Sequence, residues 1–269
     1  MLECIDSRRP TCSRCGMRVC VPLSPLMDGM WESATIAGST FWGMRDGGRH
    51  AGHACIGPDN DLLRVHVAAD YRARAQDIFG WILSTHGIRR AIASTIEPPY
   101  LSLCLDVQQG LAIHSYLFRD GTRVEPPSGL GDSTFRRAEP DELVAIARFY
   151  RAQTDGSGEW TEAFVRECLD RGELFGLYDG PAVVATGECI PSQAQPPYAD
   201  LGMVVARSHR GRGLGSALLT RLKERCYHAG WEPICSCASG NRASKRAIEK
   251  AGFISEHRIV EIVFHSAPR

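Results

Sequence analysis

From residue 133 onward the apolar and polar positions change period several times. Short apolar or alternating runs at 133–138, 173–178, 182–190, 198–206 and 233–238 predict strands. Leu214, Leu218, Leu222 and Cys226 recur every four residues, which predicts a helix with one apolar stripe. Pro140-Asp141-Glu142 opens an earlier helix, its acids placed in the first turn where the helix dipole favours them. A further helix is expected over 160–171. Asn241 predicts the start of a last helix, and Gly252 ends it at the position where a left-handed residue is wanted. Residues 253–264 supply closing strands. The resulting order, β-α-α-β-β-β-α-β-α-β, predicts a mixed α/β fold with a sheet flanked by helices.

The first half answers the second. Residues 65–77 align with 203–215, bringing Arg72 to Arg210 and Arg74 to Arg212 at an offset of 138. Upstream, Gly43-Met44-Arg45-Asp46-Gly47 parallels Gly176-Leu177-Tyr178-Asp179-Gly180, and Cys55-Ile56 parallels Cys189-Ile190. Asp-Gly between alternating runs signals a hairpin, so each copy is expected to carry one just before the shared segment. Collinear matches of this kind point to a duplicated fold, against the alternative of chance similarity and an unrelated substrate domain at 1–125. The stretch 123–132, rich in Pro, Gly and Ser, reads as the linker, which gives expected domains at 1–125 and 133–269.

Composition narrows the functional classes. The chain has 269 residues, with 31 basic and 31 acidic side chains and a formal charge of zero. Such a balance leaves no electrostatic footprint for nucleic acid. No apolar run approaches the length of a membrane span, and the first residues, Met1 to Asp6, lack a signal-peptide pattern. Eleven cysteines in a chain too large to need staples fit reduced thiols, and the expectation is a soluble cytoplasmic protein, monomeric or homodimeric.

The chemistry concentrates in Arg210-Gly211-Arg212-Gly213-Leu214-Gly215, followed by Ser216, between a strand and the striped helix. Glycines let the backbone approach a ligand closely, and free N–H groups at a helix N-terminus point at an anion. The Lys-Ser/Thr pair of a P-loop is missing, and Gly-x-Gly-x-Gly is not the dinucleotide fingerprint. The alternative reading is a plain glycine turn.

Arg210-x-x-Gly213-x-Gly215 resembles the acetyl-CoA motif of the GNAT superfamily of N-acetyltransferases. The apolar strand 201–205 before it is similar too, as is Asn241 followed by Ala247-Ile248-Glu249-Lys250-Ala251-Gly252-Phe253. The resemblance covers roughly 133–265 and implies tandem GNAT-like domains with acetyl-CoA as co-substrate. It implies that backbone groups of Met203, Val204 and Val205 pair with the pantetheine arm like an added strand. The N–H groups of Gly211, Arg212, Gly213, Leu214, Gly215 and Ser216 would hold the pyrophosphate, with Arg210 and Arg212 adding charge. Asn241 would contact the cofactor near its thiol end, and the acetyl thioester would lie where the sheet splays towards 233–238.

The match has gaps. Where the family often has a Tyr general acid, this chain has Ile248, so another group or a water must protonate the leaving thiolate. Cys235 and Cys237 lie on the strand at the splay, with Cys237 a candidate to face the thioester, against the simpler reading of both as small apolar core residues. Attack of an amine on a thioester requires loss of a proton, and a carboxylate near the carbonyl is the usual base. Glu188 and Asp200, each in an apolar strand context where burial raises a carboxyl pKa, are the candidates, against a reading as solvated edge-strand acids.

In the first copy, Ala75 and Asp77 stand where Gly213 and Gly215 stand in the second. An aspartate there opposes a pyrophosphate, so the first half is expected to be a degenerate GNAT-like domain that does not bind CoA. Cys4, Cys12, Cys15 and Cys20 cluster near the start, but the second Cys-x-x-Cys that a zinc ribbon needs is absent, and no metal is expected. The sequence thus predicts an acetyl-CoA-dependent N-acetyltransferase acting on a primary amine, with a small-molecule acceptor favoured. A non-catalytic acyl-CoA-binding or sensor module and a protein or peptide N-acetyltransferase are the alternatives.

Overall fold

A computed structural model describes residues 2–6, 35–36, 38–126, 133–154, 158–193 and 195–265. The chain divides into two compact units, Met1–Tyr116 with His257–Arg269, and Leu117–Glu256. The expected domains, 1–125 and 133–269, follow linear order, whereas the first compact unit also takes in the C-terminal segment from His257, and the second runs unbroken from Leu117 to Glu256.

The first unit contains β1 (Leu2–Asp6), β2 (Thr40–Asp46), β3 (Arg49–Ile56) and β4 (Leu62–Val67), then a 3-10 turn at Ala69–Arg74. There follow α1 (Ala75–His86), β5 (Arg90–Ser94), α2 (Pro98–Asp106) and the start of β6 (Gln108–Asp120). Strands β1 to β5 lie in sequence order, and the last strand of the chain, β12 (Phe253–Phe264), adds next to β5 through antiparallel pairs from Ile259↔Ser94 to Val263↔Arg90. Met44, Leu62, Ile78, Ile82, Ala91 and Ile262 are fully buried and form the centre of its core.

The second unit holds β7 (Thr134–Arg137), α3 (Leu143–Gln153), α4 (Gly158–Arg171), β8 (Leu174–Asp179), β9 (Ala182–Pro191) and β10 (Tyr198–Val205). Helix α5 (Leu214–Ala229), β11 (Glu232–Ala238) and α6 (Arg242–Lys250) complete it. Its sheet runs β11-β10-β9-β8-β7, with the end of β6 beside β11. The four-residue stripe is realised: Leu218, Leu222 and Cys226 of α5 are fully buried, and Gly230 ends the helix in the left-handed region. On the other side of the sheet, α3 and α4 bury Ile146, Tyr150, Val165 and Leu169 against Leu174. Residues 253–264 form one continuous strand rather than several.

The repeat predicted from the sequence is a repeat of structure. The order β2-β3-β4-α1-β5-α2-β6 matches β8-β9-β10-α5-β11-α6-β12. Both hairpins turn on two residues after the aspartate, with Asp46 opposite Arg49 and Asp179 opposite Ala182. Gly47 and Gly180 share a φ of +55°, which a side chain rarely adopts.

The expected linker lies partly outside the described residues, and its start is anchored. Gly121 and Thr122 donate backbone hydrogen bonds to the Gly252 carbonyl, and Arg123 grips Glu224 of α5 with two bonds. Beneath them Lys223, 1% exposed, pairs with Asp120 at 2.6 Å and donates to the carbonyls of Thr122 and Ala251. Tyr227 donates to the other Asp120 oxygen at 2.6 Å. Cys12, Cys15 and Cys20 lie outside the described residues; Cys4 sits in β1, 3.4 Å from His86 Nε2. Among the described residues no group of three or more His, Cys, Asp or Glu could hold a metal ion, and no helix is long and apolar enough to cross a membrane.

Candidate active site

Strand β10 pairs antiparallel with β9 from Ala199↔Pro191 to Val205↔Ala185. Its parallel pairing with β11 covers only Tyr198↔Glu232 to Asp200↔Ile234. Past Asp200 the two strands part, and the backbone groups of β10 on that side have no strand to bond among the described residues. A cleft of about 760 Å³ opens there, lined by Met203, Val204 and Val205, by the loop into α5, and by one face of α6.

The loop explains its glycines. Gly211 and Gly213 sit at φ +78° and +83°, in the left-handed region. Gly215 is required for a different reason: a Cβ there would meet the Met203 sulfur at 2.8 Å and the Ala247 Cβ at 3.5 Å. Gly213 caps α5 without a side chain, and the first helical hydrogen bond runs from the Ala217 N–H to the Gly213 carbonyl at 3.0 Å. The N–H groups of Leu214, Gly215 and Ser216 therefore have no intrahelical partner, and all three residues line the cleft. That is an anion cradle with a free strand edge leading into it.

Except for Arg212, which is exposed and outside the lining, every residue expected to bind cofactor lines this cleft. Two of them have further work. Arg210 donates to the Val205 carbonyl at 3.1 Å and the Gln153 carbonyl at 3.2 Å, tying the loop to β10 and α3. Asn241 accepts from the Ser244 N–H at 3.0 Å and caps α6. Sequence reasoning missed Arg207, His209, Arg246 and Lys250; the two arginines and the lysine give the cleft a cationic rim with no acidic side chain among its described lining. Lys250 Nζ stands 4.0 Å from where a Gly213 Cβ would be, beside the cradle. The signal was available: Ala243, Ala247 and Lys250 share one helical face downstream of Asn241.

The two candidate bases differ. Asp200 is half-buried in the paired part of β10, opposite Ile190 and Ile234. Glu188 lies on β9 between Leu174 and Gly202, 5% exposed, and burial pushes its carboxyl up to about 7. Gly202 is what makes room for it. A Cβ on Gly202 would overlap Glu188 Oε2, so the carboxyl reaches across β10 just past the last β10–β11 pair. Neither acid is part of the cleft lining itself. On β11, burial raises the Cys235 thiol strongly and the Cys237 thiol to about 11, which suits core packing. Ile248 is buried at 2% in α6.

The first unit lacks the cradle. In place of left-handed glycines, the 3-10 turn Ala69–Arg74 runs directly into α1, and the Ala75 N–H is used by the Arg72 carbonyl. Asp77 occupies the first turn of α1.

Two family models match the chain. One, described as an acetyltransferase (GNAT) domain, covers residues 20–121, and the other, the acetyltransferase (GNAT) family, covers 137–253. This chain belongs to the GNAT acetyltransferase family. Among solved structures, a GNAT-family acetyltransferase from Colwellia psychrerythraea is 29% identical, with a TM-score of 0.87 over 98% of this chain and 100% of its own. A tandem GNAT protein from the clavulanic acid biosynthesis pathway superposes with a TM-score of 0.67 at 16% identity, covering 100% of both chains. A GCN5-related N-acetyltransferase from Sphaerobacter thermophilus gives 0.65 at 14% identity, over 89% of this chain and 85% of its own. These last two share the fold. None of the curated proteins matches the chain in sequence.

Proposed function

We propose that this GNAT protein transfers the acetyl group of acetyl-CoA to the primary amine of a small molecule, and that only the second unit binds the co-substrate. The observation that carries the reading is the free edge of β10 leading into the glycine cradle at the start of α5. An extended arm with amide groups suits the unpaired edge of Met203 to Val205. A pyrophosphate suits the unsatisfied N–H groups of Leu214, Gly215 and Ser216, with Lys250 and Arg246 supplying positive charge. Acetyl-CoA supplies an activated acetyl thioester.

Glu188 is the base in this reading. It takes the proton that the attacking amine loses as the new C–N bond forms and the C–S bond breaks, releasing CoA thiolate. A carboxyl held near 7 is half-ionised at neutral pH, where a general base works best. Asp200, set in the paired sheet, adds negative charge behind the splay rather than reaching the amine. A backbone N–H of Val204 or Val205 polarises the thioester carbonyl.

Release of free CoA with a panel of amines and peptides tests the reading. Turnover with small amines supports it. Tight acetyl-CoA binding with no acetylation would favour the binding-module alternative, for which Ile248 in place of a tyrosine is the specific argument.

A further inference from the structure

Glu188 does not stand alone in its layer. Residues two apart on a strand share a face, so Thr186 and Glu188 of β9 both point to the side covered by α3 and α4. Thr186 is fully buried, and its hydroxyl has no hydrogen-bond partner among the described residues. Across the layer Tyr150 of α3, 5% exposed, also has a buried hydroxyl without a partner among the described residues. Tyr150 packs in the same cluster as Leu174 and Val204; Leu174 pairs with Glu188, and Val204 is the β10 partner of Thr186. One turn further along α3, Gln153 and Thr154 line the cleft.

Orphaned hydroxyls are costly. Replacing such a group by its apolar isostere removes a desolvation penalty, so a core under no functional constraint would carry phenylalanine and valine here. Their spacing also has meaning. Side chains two apart on a strand stand roughly 6.6 Å apart, and one water between two oxygens spans about 5.6 Å. A buried water needs two to four polar partners, and Thr186, Tyr150 and Glu188 offer three polar groups in this layer.

We propose that Thr186 and Tyr150 are positioning residues for Glu188: with one buried water, their hydroxyls hydrogen-bond its carboxylate and hold it over Gly202. This rests on Glu188 being the base. Neither hydroxyl touches the acceptor; each acts through the carboxylate.

The test uses Tyr150→Phe and Thr186→Val in the full chain, shape-preserving changes that remove only the hydroxyls. Three readouts are taken: acetylation kinetics, melting temperature, and the infrared C=O stretch of the Glu188 carboxyl, assigned by difference against Glu188→Gln. Each variant is expected to lower kcat about tenfold or more, leave the acetyl-CoA Kd unchanged, shift the carboxyl band and lower the melting temperature, because the water and the carboxylate lose a buried partner. Thr186→Ser should restore kcat, and the loss should vanish in a Glu188→Gln background. A raised melting temperature with an unmoved band and unchanged kcat would overturn the proposal, leaving two idle hydroxyls. So would a kcat loss that persists without Glu188. Because the band needs no acceptor, it remains readable even if no amine is acetylated, whereas acetyl-CoA titration judges the transferase reading separately.

Discussion

Substituting Gly202 by alanine tests the catalytic geometry with the smallest possible change. A methyl at this position overlaps Glu188 Oε2 and lies 3.1 Å from its Cδ, while the Glu188 Cβ stands off at 3.9 Å. Ordinary contacts between such atoms begin near 3.5 Å, so the carboxyl must withdraw by about 1 Å or more. What moves is the end of a flexible side chain, since no backbone atom is among the close neighbours; folding should be little affected. A displacement of about 1 Å in a reacting group costs on the order of 100-fold in rate, and complete loss of a general base costs roughly 10²–10⁴-fold. Gly202→Ala is therefore expected to lower kcat about 100-fold, approaching Glu188→Gln, with the acetyl-CoA Kd and melting temperature close to wild type. Steady-state kinetics with calorimetric titration measure all three. A Gly202→Ala enzyme with wild-type kcat would refute the assignment of Glu188, because the carboxyl cannot stay where it is.

In the proposed mechanism Glu188 also sets the pH behaviour. Acetylation should rise with pH through about 7, as the carboxyl ionises, and a rate flat from pH 5.5 to 8.5 would contradict this. Because its folded pKa is raised, the folded state holds a proton that the unfolded chain has lost, so stability should fall as pH rises from about 4.5 to 7. At about 1.4 kcal/mol per pKa unit the effect is on the order of 3 kcal/mol. Glu188→Gln should thus melt higher than wild type at pH 8 while losing activity, and a lower melting temperature would count against the burial argument. Lys250→Ala should weaken acetyl-CoA binding about tenfold with a reduced salt dependence, read by titration at two ionic strengths; an unchanged Kd would remove Lys250 from the cradle. Lys223→Ala leaves Asp120 without its buried counter-charge and should destabilise the protein by roughly 3–5 kcal/mol in denaturant unfolding, while Lys223→Ala within 1 kcal/mol of wild type would show the node to be idle.

Much of this was legible in the sequence because local chemistry decides it. The stripe of α5, the two Asp-Gly hairpins and the glycine loop are short-range patterns, and each lies where periodicity and turn chemistry put it. The pairing of residues 259–263 with β5 was not legible, since it is a long-range contact that no local period encodes. The choice between Glu188 and Asp200 was equally hidden. Two acids in adjacent apolar strands look alike until register places Gly202 beside one and a paired strand on both sides of the other. The orphaned hydroxyls of Tyr150 and Thr186 are ordinary core positions in sequence, and become notable only when their partners are sought. The degenerate first cradle was half visible: Ala75 and Asp77 signal it, while the 3-10 turn that consumes the Ala75 N–H is a property of the fold.

The central claim is that one cleft, in the second unit, takes acetyl-CoA through the glycine cradle at the start of α5. Isothermal titration of acetyl-CoA into the wild-type chain and into Gly213→Asp tests it most directly. Gly213 has φ +83° beside the unsatisfied N–H groups of α5, so an aspartate there both strains the loop and sets a negative charge against the pyrophosphate. The account predicts one acetyl-CoA per wild-type chain and no measurable binding to Gly213→Asp. Two molecules per chain, or an undiminished affinity in the variant, would contradict it.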